Sequence, residues 1–247
     1  MTRLLQWLPL SVGLAACSGG AARTSDGGGG SGGDATVPDT GLVTTFARVD
    51  DQGTILGVGA IIPVKSVESV PNDDPAFQGN VGLEMPASVR DKTFIQLLRI
   101  NWLSGGHGPA PYGAPHFDMH FYRGTMDEVS AISCADATFP ADILASGIET
   151  PSTCVSGMGY HAWPSADLVS GVFTASIILG YAAEKMVFIE PMVTREVLLS
   201  RKTFELDIAR PASAGGARTL YPAHLTATYD ATTDAYSLEF NAFGSID

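Results

Sequence analysis

The most informative segment of the chain runs from position 115 to position 122 and reads Pro115-His116-Phe117-Asp118-Met119-His120-Phe121-Tyr122. In a strand, successive side chains point to opposite faces, so His116, Asp118 and His120 share one face. Phe117, Met119 and Phe121 then share the other face and turn toward a core. In a helix Asp118 would leave the histidines, and the proline and aromatics favour a strand. The segment therefore predicts a strand with one apolar face and one face of candidate metal ligands.

Strand geometry limits what these three polar residues can do together. His116 and His120 are four positions apart, which is about 13 Å at ~3.3 Å per residue. A twist or a bulge is needed to bring both imidazoles to one ion. Otherwise one histidine binds with Asp118, or Asp118 supports a ligand imidazole from behind. The competing interpretation is a solvent-facing polar strand side that carries histidines without binding anything.

Two later residues are further candidate ligands. His161 follows two closely spaced glycines, which let the backbone approach its neighbours closely. Glu190 interrupts an apolar run, where an unpaired charge is costly unless a metal, a basic partner or a proton neutralises it. A salt bridge from Glu190 to Arg195 or Lys185 is the alternative. We expect His116, Asp118, His120, His161 and Glu190 to converge on one divalent transition-metal ion inside or at the mouth of a β-barrel.

The two remaining histidines carry weaker signals. His107 lies in a glycine-rich loop, where it either lines the mouth of a pocket or has no role. His224 lies in the last predicted hairpin, and we expect it to be structural.

The N-terminal segment predicts export and membrane anchoring. Residues 1–16 contain Arg3, a short interrupted apolar run and then small residues, which is typical of a signal peptide and far shorter than the ~20 apolar residues of a span. Leu14-Ala-Ala-Cys17 resembles the lipobox of bacterial lipoproteins, in which the cysteine is lipidated and becomes the mature N-terminus. By that resemblance, Ser18 favours the outer membrane. The alternative is an ordinary signal peptide with a chance cysteine. Residues 17–39, rich in Gly and Ser, predict a flexible tether.

Composition and cysteine count narrow the class of protein. The formal net charge of −12 does not suit a nucleic-acid binder, whose affinity comes largely from Lys and Arg on phosphates. Lipidation of Cys17 leaves Cys134 and Cys154, which in an exported chain can form a disulfide. Two free thiols are the alternative, and a thiolate metal site is disfavoured by their wide spacing.

Residues 40–247 predict one β-rich domain. The predicted strands are Gly41–Val49, Thr54–Ile62, Thr93–Trp102, His116–Tyr122, Val172–Tyr181, Met186–Met192, Phe204–Ile208, Leu220–Asp230 and Ala235–Phe240. Helix signals are few: a capping box opens a short helix at Thr125, and Thr194 caps another over Arg195–Ser200. Many short strands with little helix indicate a single β-barrel or sandwich domain with a few short helices.

Four motifs together resemble a family of exported bacterial proteins of unknown function. They are Gly106-His-Gly-Pro109, the segment 115–122 quoted above, Gly157-Met-Gly-Tyr-His161 and Phe188-Ile-Glu-Pro-Met192. The similarity covers most of residues 40–245. It implies a β-rich domain, possible homo-oligomers and a cluster that looks like a metal site on residues 116, 118, 120, 161 and 190. The donor set is also similar to that of the cupin barrels, although His-x-Asp-x-His departs from their His-x-His pattern.

Two functions from different classes fit these residues. One is a metal-dependent enzyme of unknown small-molecule substrate, because histidines with a carboxylate suit Zn, Fe, Mn, Ni or Cu and an open coordination position activates water or O₂ or polarises a carbonyl. The other is a lipid-tethered binding or structural protein with a structural metal or none. Ligation by nitrogen and oxygen leans toward an open metal site.

Overall fold

The computed structural model describes residues 42–70, 78–171 and 173–247. The predicted signal peptide at 1–16, the lipidated Cys17 and the tether at 17–39 lie outside this part of the chain. The strands are β1 (Thr44–Val49), β2 (Ile55–Pro63), β3 (Gln78–Glu84), β4 (Leu97–Leu103), β5 (His116–Tyr122), β6 (Thr153–Val155), β7 (Gly159–Ala162), β8 (Ala175–Ala182), β9 (Lys185–Thr194), β10 (Phe204–Asp207), β11 (Thr219–Tyr221), β12 (His224–Asp230), β13 (Ala235–Asn241) and β14 (Gly244–Ile246). The helices are α1 (Val64–Glu68), α2 (Ala87–Arg90), α3 (Met126–Ser130), α4 (Ser165–Ser170) and α5 (Arg195–Leu199), with a 3-10 turn at Ala110–Tyr112.

Two antiparallel sheets form a sandwich. One has the strand order β1-β2-β13-β12-β10 and the other β3-β4-β5-β9-β8-β7-β6, while β11 and β14 form a small third sheet. The two large sheets share one core, in which the rings of Phe121 and Phe240 lie 4.7 Å apart between centroids. The mainly β class with short helices is confirmed. Of the two architectures predicted, the sandwich is observed, because each large sheet, as far as the structure describes it, ends in two edge strands and does not close into a barrel.

Strand β5 occupies the middle of the seven-stranded sheet, between β4 and β9. Phe117, Met119 and Phe121 face the sandwich core, as the alternation of the sequence predicts. The opposite face carries His116 and His120 with Asp118 between them. All seven residues of β5 are nevertheless buried. The candidate ligands therefore lie on the outer face of a sheet. The expectation that they lie inside or at the mouth of a barrel is wrong, because the sheets, in the described part of the chain, do not close into one.

A second apolar layer covers that outer face. Its members come from connecting segments as well as strands, and include Tyr112 in the 3-10 turn, Val129 in α3 and Phe173 beside Tyr122 and Phe188 of the sheet. Because these residues exclude water, the polar face of β5 is not a solvent-exposed strand side. The competing interpretation of the segment is thereby removed, and buried polar groups at this position need partners.

Local signals in the sequence placed two of the short helices correctly. Thr125 caps α3 through a full capping box with Glu128, and the Thr194 side chain accepts a hydrogen bond from Val197 at the start of α5. The predicted strand Leu220–Asp230 is divided into β11 and β12, and β12 forms the predicted antiparallel hairpin with β13. No helix among the described residues has both the length and the apolar character needed to cross a membrane.

Candidate metal centre

The structure divides the candidate ligands between two neighbouring clusters on the outer face of the seven-stranded sheet. The first cluster consists of His120, His161 and Glu190. The second cluster consists of His116, Asp118 and, in addition, His107. Within each cluster one donor atom from every residue lies within 4.8 Å of the others. The five residues predicted from the sequence are thus all drawn into such clusters, but they do not surround one common point.

The first cluster joins three strands. His120 on β5 and Glu190 on β9 lie on adjacent strands, and His161 on β7 reaches them across β8. The His120 Nε2 atom is 3.3 Å from Glu190 Oε1 and 3.5 Å from His161 Nε2. The His161 Nε2 atom is 3.9 Å from Glu190 Oε2. The three donor groups therefore converge, although they come from sequence positions up to 70 residues apart.

These separations are those of ligands that share one metal ion. With metal–ligand bonds of about 2.0–2.2 Å, two donors are about 2.8–3.1 Å apart at a right angle, about 3.3–3.6 Å at a tetrahedral angle and about 4.0–4.4 Å when they are opposite. All three distances of the first cluster fall within that range. Moreover, Glu190 Oε2 is buried without a hydrogen-bond partner among the described residues. Unpartnered buried polar atoms of this kind point to a ligand.

His161 reaches the cluster because a glycine lies between it and the other ligands. Gly180 on β8 is the register partner of both His161 and Phe188. A Cβ at residue 180 would overlap the Phe188 ring, so only glycine allows this ring to lie flat across the strand. The ring then contacts both imidazoles, with centroids 4.9 Å from that of His120 and 4.9 Å from that of His161.

The predicted cysteine pair supports the same hairpin. The sulfur atoms of Cys134 and Cys154 are 2.04 Å apart, at disulfide distance. Cys154 lies on β6 opposite Tyr160 of β7, and the Tyr160 hydroxyl donates to the carbonyl oxygen of Cys134 at 2.8 Å. The segment around His161 is absent from the strands predicted from the sequence, but it forms strand β7 because it pairs with β6 on one side and β8 on the other.

Burial sets the protonation of the first cluster. It lowers the pKa of His120 to about 3, and the nearby His161 adds to this effect. Burial also lowers the pKa of His161. For Glu190, burial and then the charge of Asp118 raise the pKa well above its ordinary value. The imidazoles are therefore in the neutral form that metals require, whereas Glu190 is held back from ionising until a cation compensates its charge.

The second cluster lies next to the first, toward the N-terminal end of β5. The His116 Nε2 atom is 2.9 Å from Asp118 Oδ1, and His107 Nε2 is 3.5 Å from Asp118 Oδ2. His116 is fully buried and the Asp118 side chain is 9% exposed, while His107 is 35% exposed and forms the outer edge. Burial opposes ionisation of Asp118, but the facing His107 and His116 outweigh it and hold its pKa well below the usual range.

His107 was given no role in the predicted ligand set, because a single loop histidine carries no periodicity. Its position depends on Gly106, which has a φ of +64° and whose Cβ would overlap the backbone at Tyr112 and Gly113. The His107 backbone N–H then donates to the carbonyl oxygen of Tyr112 at 3.0 Å. The signal in the sequence was the glycine that directly precedes the histidine.

Glu190 and His224 are the two remaining residues for which the sequence left a structural role open. Glu190 faces His120 and His161, and the guanidinium of Arg195 donates to the carbonyl oxygens of Val67 and Glu68. His224 lies at an exposed position, where its Nδ1 is 2.7 Å from Asp207 Oδ1. The expectation that His224 is structural, outside the ligand clusters, agrees with this position.

Comparison with known proteins adds no relative. A scan against protein-family models, a search of curated proteins and a search of solved structures each gave no match to the chain. The resemblance to a family of exported bacterial proteins therefore stays a prediction, and the functional argument depends on the geometry of the two clusters.

Proposed function

We propose that the protein is a lipid-anchored metalloprotein of the bacterial cell envelope, in which His120, His161 and Glu190 hold one divalent transition-metal ion. The observation that carries the proposal is the convergence of three donor groups at ligand-to-ligand distances in a buried place. Two imidazoles and one carboxylate are a donor set suited to Zn, Fe, Mn, Ni or Cu.

The competing explanation of the first cluster is a hydrogen-bonded arrangement without metal. In that arrangement a protonated Glu190 would share protons with the imidazoles, and the raised pKa of its carboxyl is compatible with this. However, His161 Nδ1 lies 3.1 Å from the carbonyl oxygen of Gly159, which can only accept, so Nδ1 carries the proton of the neutral ring. The His161 Nε2 lone pair thus faces His120 and Glu190, as a metal ligand requires. Its distance of 3.9 Å from Glu190 Oε2 is too long for a hydrogen bond from a protonated Glu190.

The envelope location rests on the sequence alone. Its support is the signal-like segment 1–16, the lipobox that ends at Cys17 and the Gly/Ser-rich tether to residue 39. A Cys134–Cys154 pair at disulfide distance is in keeping with an oxidising compartment. Anchor and metal site are separate parts of the proposal and have separate tests.

Whether the metal performs catalysis depends on an open coordination position. His120 and Glu190 are each 1% exposed, which favours a binding or structural role. His161 is 14% exposed and forms the accessible edge of the first cluster, which leaves a route for a small molecule such as water or O₂. We propose a metal site accessible to small molecules, with a non-catalytic metalloprotein as the second candidate.

The primary test is elemental analysis of the full chain, purified without an affinity tag. We expect bound transition metal in the native protein and one ion fewer per chain in His120→Ala and in Glu190→Ala. His224→Ala, which changes an exposed histidine outside both clusters, should lose none. Protein without metal, whose melting temperature is also unchanged by added zinc, iron, manganese, nickel or copper, contradicts the proposal.

A second measurement separates the two candidate functions. In the Co²⁺-substituted protein, azide should change the visible spectrum if an exchangeable coordination position is present. A spectrum that azide leaves unchanged assigns the ion to a closed structural site.

A further inference from the structure

We infer that His107, His116 and Asp118 form a second metal site, so that each chain binds two divalent transition-metal ions next to one another along β5. This inference goes beyond the proposed function, which concerns only the first cluster. It also replaces the idea of one centre that collects all candidate ligands on β5.

The first argument is the orientation of the two rings. The Nδ1 atom of His116 lies 2.6 Å from the carbonyl oxygen of Ala114, and Nδ1 of His107 lies 2.7 Å from that of Gly108. Because a carbonyl oxygen only accepts, both Nδ1 atoms donate, and in a neutral ring the lone pair is then on Nε2. Both lone pairs face Asp118. A backbone carbonyl behind the ring is also the usual way in which proteins orient a metal-binding histidine.

The second argument is that the facing atoms do not satisfy one another. His116 Nε2 and Asp118 Oδ1 are only 2.9 Å apart, yet both atoms are buried and neither has a hydrogen-bond partner among the described residues. When His116 is neutral with its proton on Nδ1, both atoms carry lone pairs, and they repel each other unless a cation lies beside both. The 2.9 Å separation is that of two ligands at a right angle around one ion with bonds of about 2.0–2.2 Å.

The third argument is the arrangement of the carboxylate. One oxygen of Asp118 faces His116 and the other faces His107 at 3.5 Å, so a single ion can meet both imidazoles and the carboxylate. On the adjacent strand β4, Asn101 is the register partner of Asp118 and is also buried, with its Oδ1 lacking a hydrogen-bond partner in the described structure. A further oxygen donor is thus available beside the second cluster.

The competing explanation is a charged imidazolium of His107 paired with Asp118. It accounts for the 3.5 Å contact, and an imidazolium of His116 beside the same carboxylate would account for the 2.9 Å contact. The two explanations differ in stoichiometry, because an ion pair adds no metal to the chain.

The test is metal stoichiometry of the full chain, stripped with chelator and dialysed against Zn²⁺. We expect two ions per chain in the unchanged protein and in His224→Ala, and one in each of His107→Ala, His116→Ala and His120→Ala. His107 is the safest substitution, because its side chain is 35% exposed and lies in a loop. The ion that remains in His107→Ala is the one held by His120, His161 and Glu190. Its Kd should rise by no more than the about 10–100-fold that follows loss of a supporting contact.

Each outcome has one meaning. One ion in the unchanged protein, retained by His107→Ala and lost from His120→Ala, overturns the second site and leaves the proposed function standing. One ion lost from both variants also overturns it, in favour of a single shared centre. No ion in the unchanged protein overturns both proposals. Two ions in His107→Ala together with two in His116→Ala would place the second ion elsewhere and equally refute this site.

Discussion

Replacement of Glu190 by Gln should stabilise the metal-free protein but destabilise the protein relative to the unchanged chain when metal is added. Glu190 is 1% exposed and one of its oxygens has no hydrogen-bond partner among the described residues. Its ionised form is therefore unfavourable in the metal-free protein, and the raised pKa expresses that cost. Gln has nearly the same shape without the charge, so metal-free Glu190→Gln should be more stable than the unchanged protein.

The size of this gain depends on pH. A carboxyl whose folded pKa is raised binds a proton in the folded state that it has already lost in the unfolded state, so stability falls as pH rises above the ordinary value of about 4.3. The loss is up to about 1.4 kcal/mol per pH unit until the folded group ionises. Since 1 kcal/mol shifts the melting temperature of a chain of this size by about 2–4 °C, the advantage of Glu190→Gln should grow by up to about 3–6 °C per pH unit above pH 5.

Added metal should reverse the order of the melting temperatures of the unchanged protein and Glu190→Gln. An ion held at 100 times its dissociation constant adds about 2.7 kcal/mol, which corresponds to about 5–11 °C in melting temperature. The unchanged protein should gain this increment at the first cluster, and Glu190→Gln should lose most of it. The assay is thermal denaturation with chelator and with Zn²⁺, from pH 5 to pH 8.

The control is Glu239→Gln, because Glu239 is also a strand carboxylate but pairs with Arg48 near the surface. This variant should be no more stable than the unchanged protein at any pH, and its response to Zn²⁺ should be unaltered. The reasoning is refuted if metal-free Glu190→Gln melts below the unchanged protein at pH 7, since Glu190 would then stabilise the fold through hydrogen bonds alone.

Three other substitutions test the surroundings of the site and the anchor. Gly180→Ala should lower the unfolding free energy by about 1–3 kcal/mol and weaken Zn²⁺ binding, because the new Cβ displaces Phe188; Gly105→Ala, with open space at its Cβ, should do neither. Cys134→Ser should cost about 3 kcal/mol, measured by denaturant unfolding, since it opens a 20-residue separation, and an unchanged midpoint contradicts the disulfide. Cys17→Ser should abolish fatty acylation and membrane partitioning, and a variant that is still acylated refutes the anchor.

The sequence made β5 predictable because two kinds of residue alternate in it. Polar ligands and apolar residues with period two leave few options for the backbone, and Pro115 removes the helical one. The limit of strand reach was equally predictable: His116 and His120 are too far apart along one strand to share an ion. The structure obeys this limit, since each of the two histidines meets its own partners.

The partners themselves were harder to predict. His161 meets Glu190 only because β7 pairs with β8 and β8 with β9, and His107 meets Asp118 only because a glycine-containing loop folds back over the sheet. The glycine before His107 marks a tight loop, but nothing local in the sequence indicates which residue either histidine contacts. The covering layer was missed for the same reason, because its members, such as Tyr112 and Phe173, come from short connecting segments with no periodicity.

The division of ligands among distant segments gives the two clusters a mechanical consequence. The first cluster links β5 and β9 to the disulfide-linked hairpin at His161, and the second links β5 to the loop that carries His107. Because the unfolded chain offers neither arrangement, ions bound there stabilise only the folded form. The strand β5 alone would hold no ion well, since its three polar residues are spread over about 13 Å. The proposed metal binding at this sheet is therefore a property of the assembled sandwich and its covering layer, and it would explain why buried ionisable groups are tolerated on a face that would otherwise be apolar.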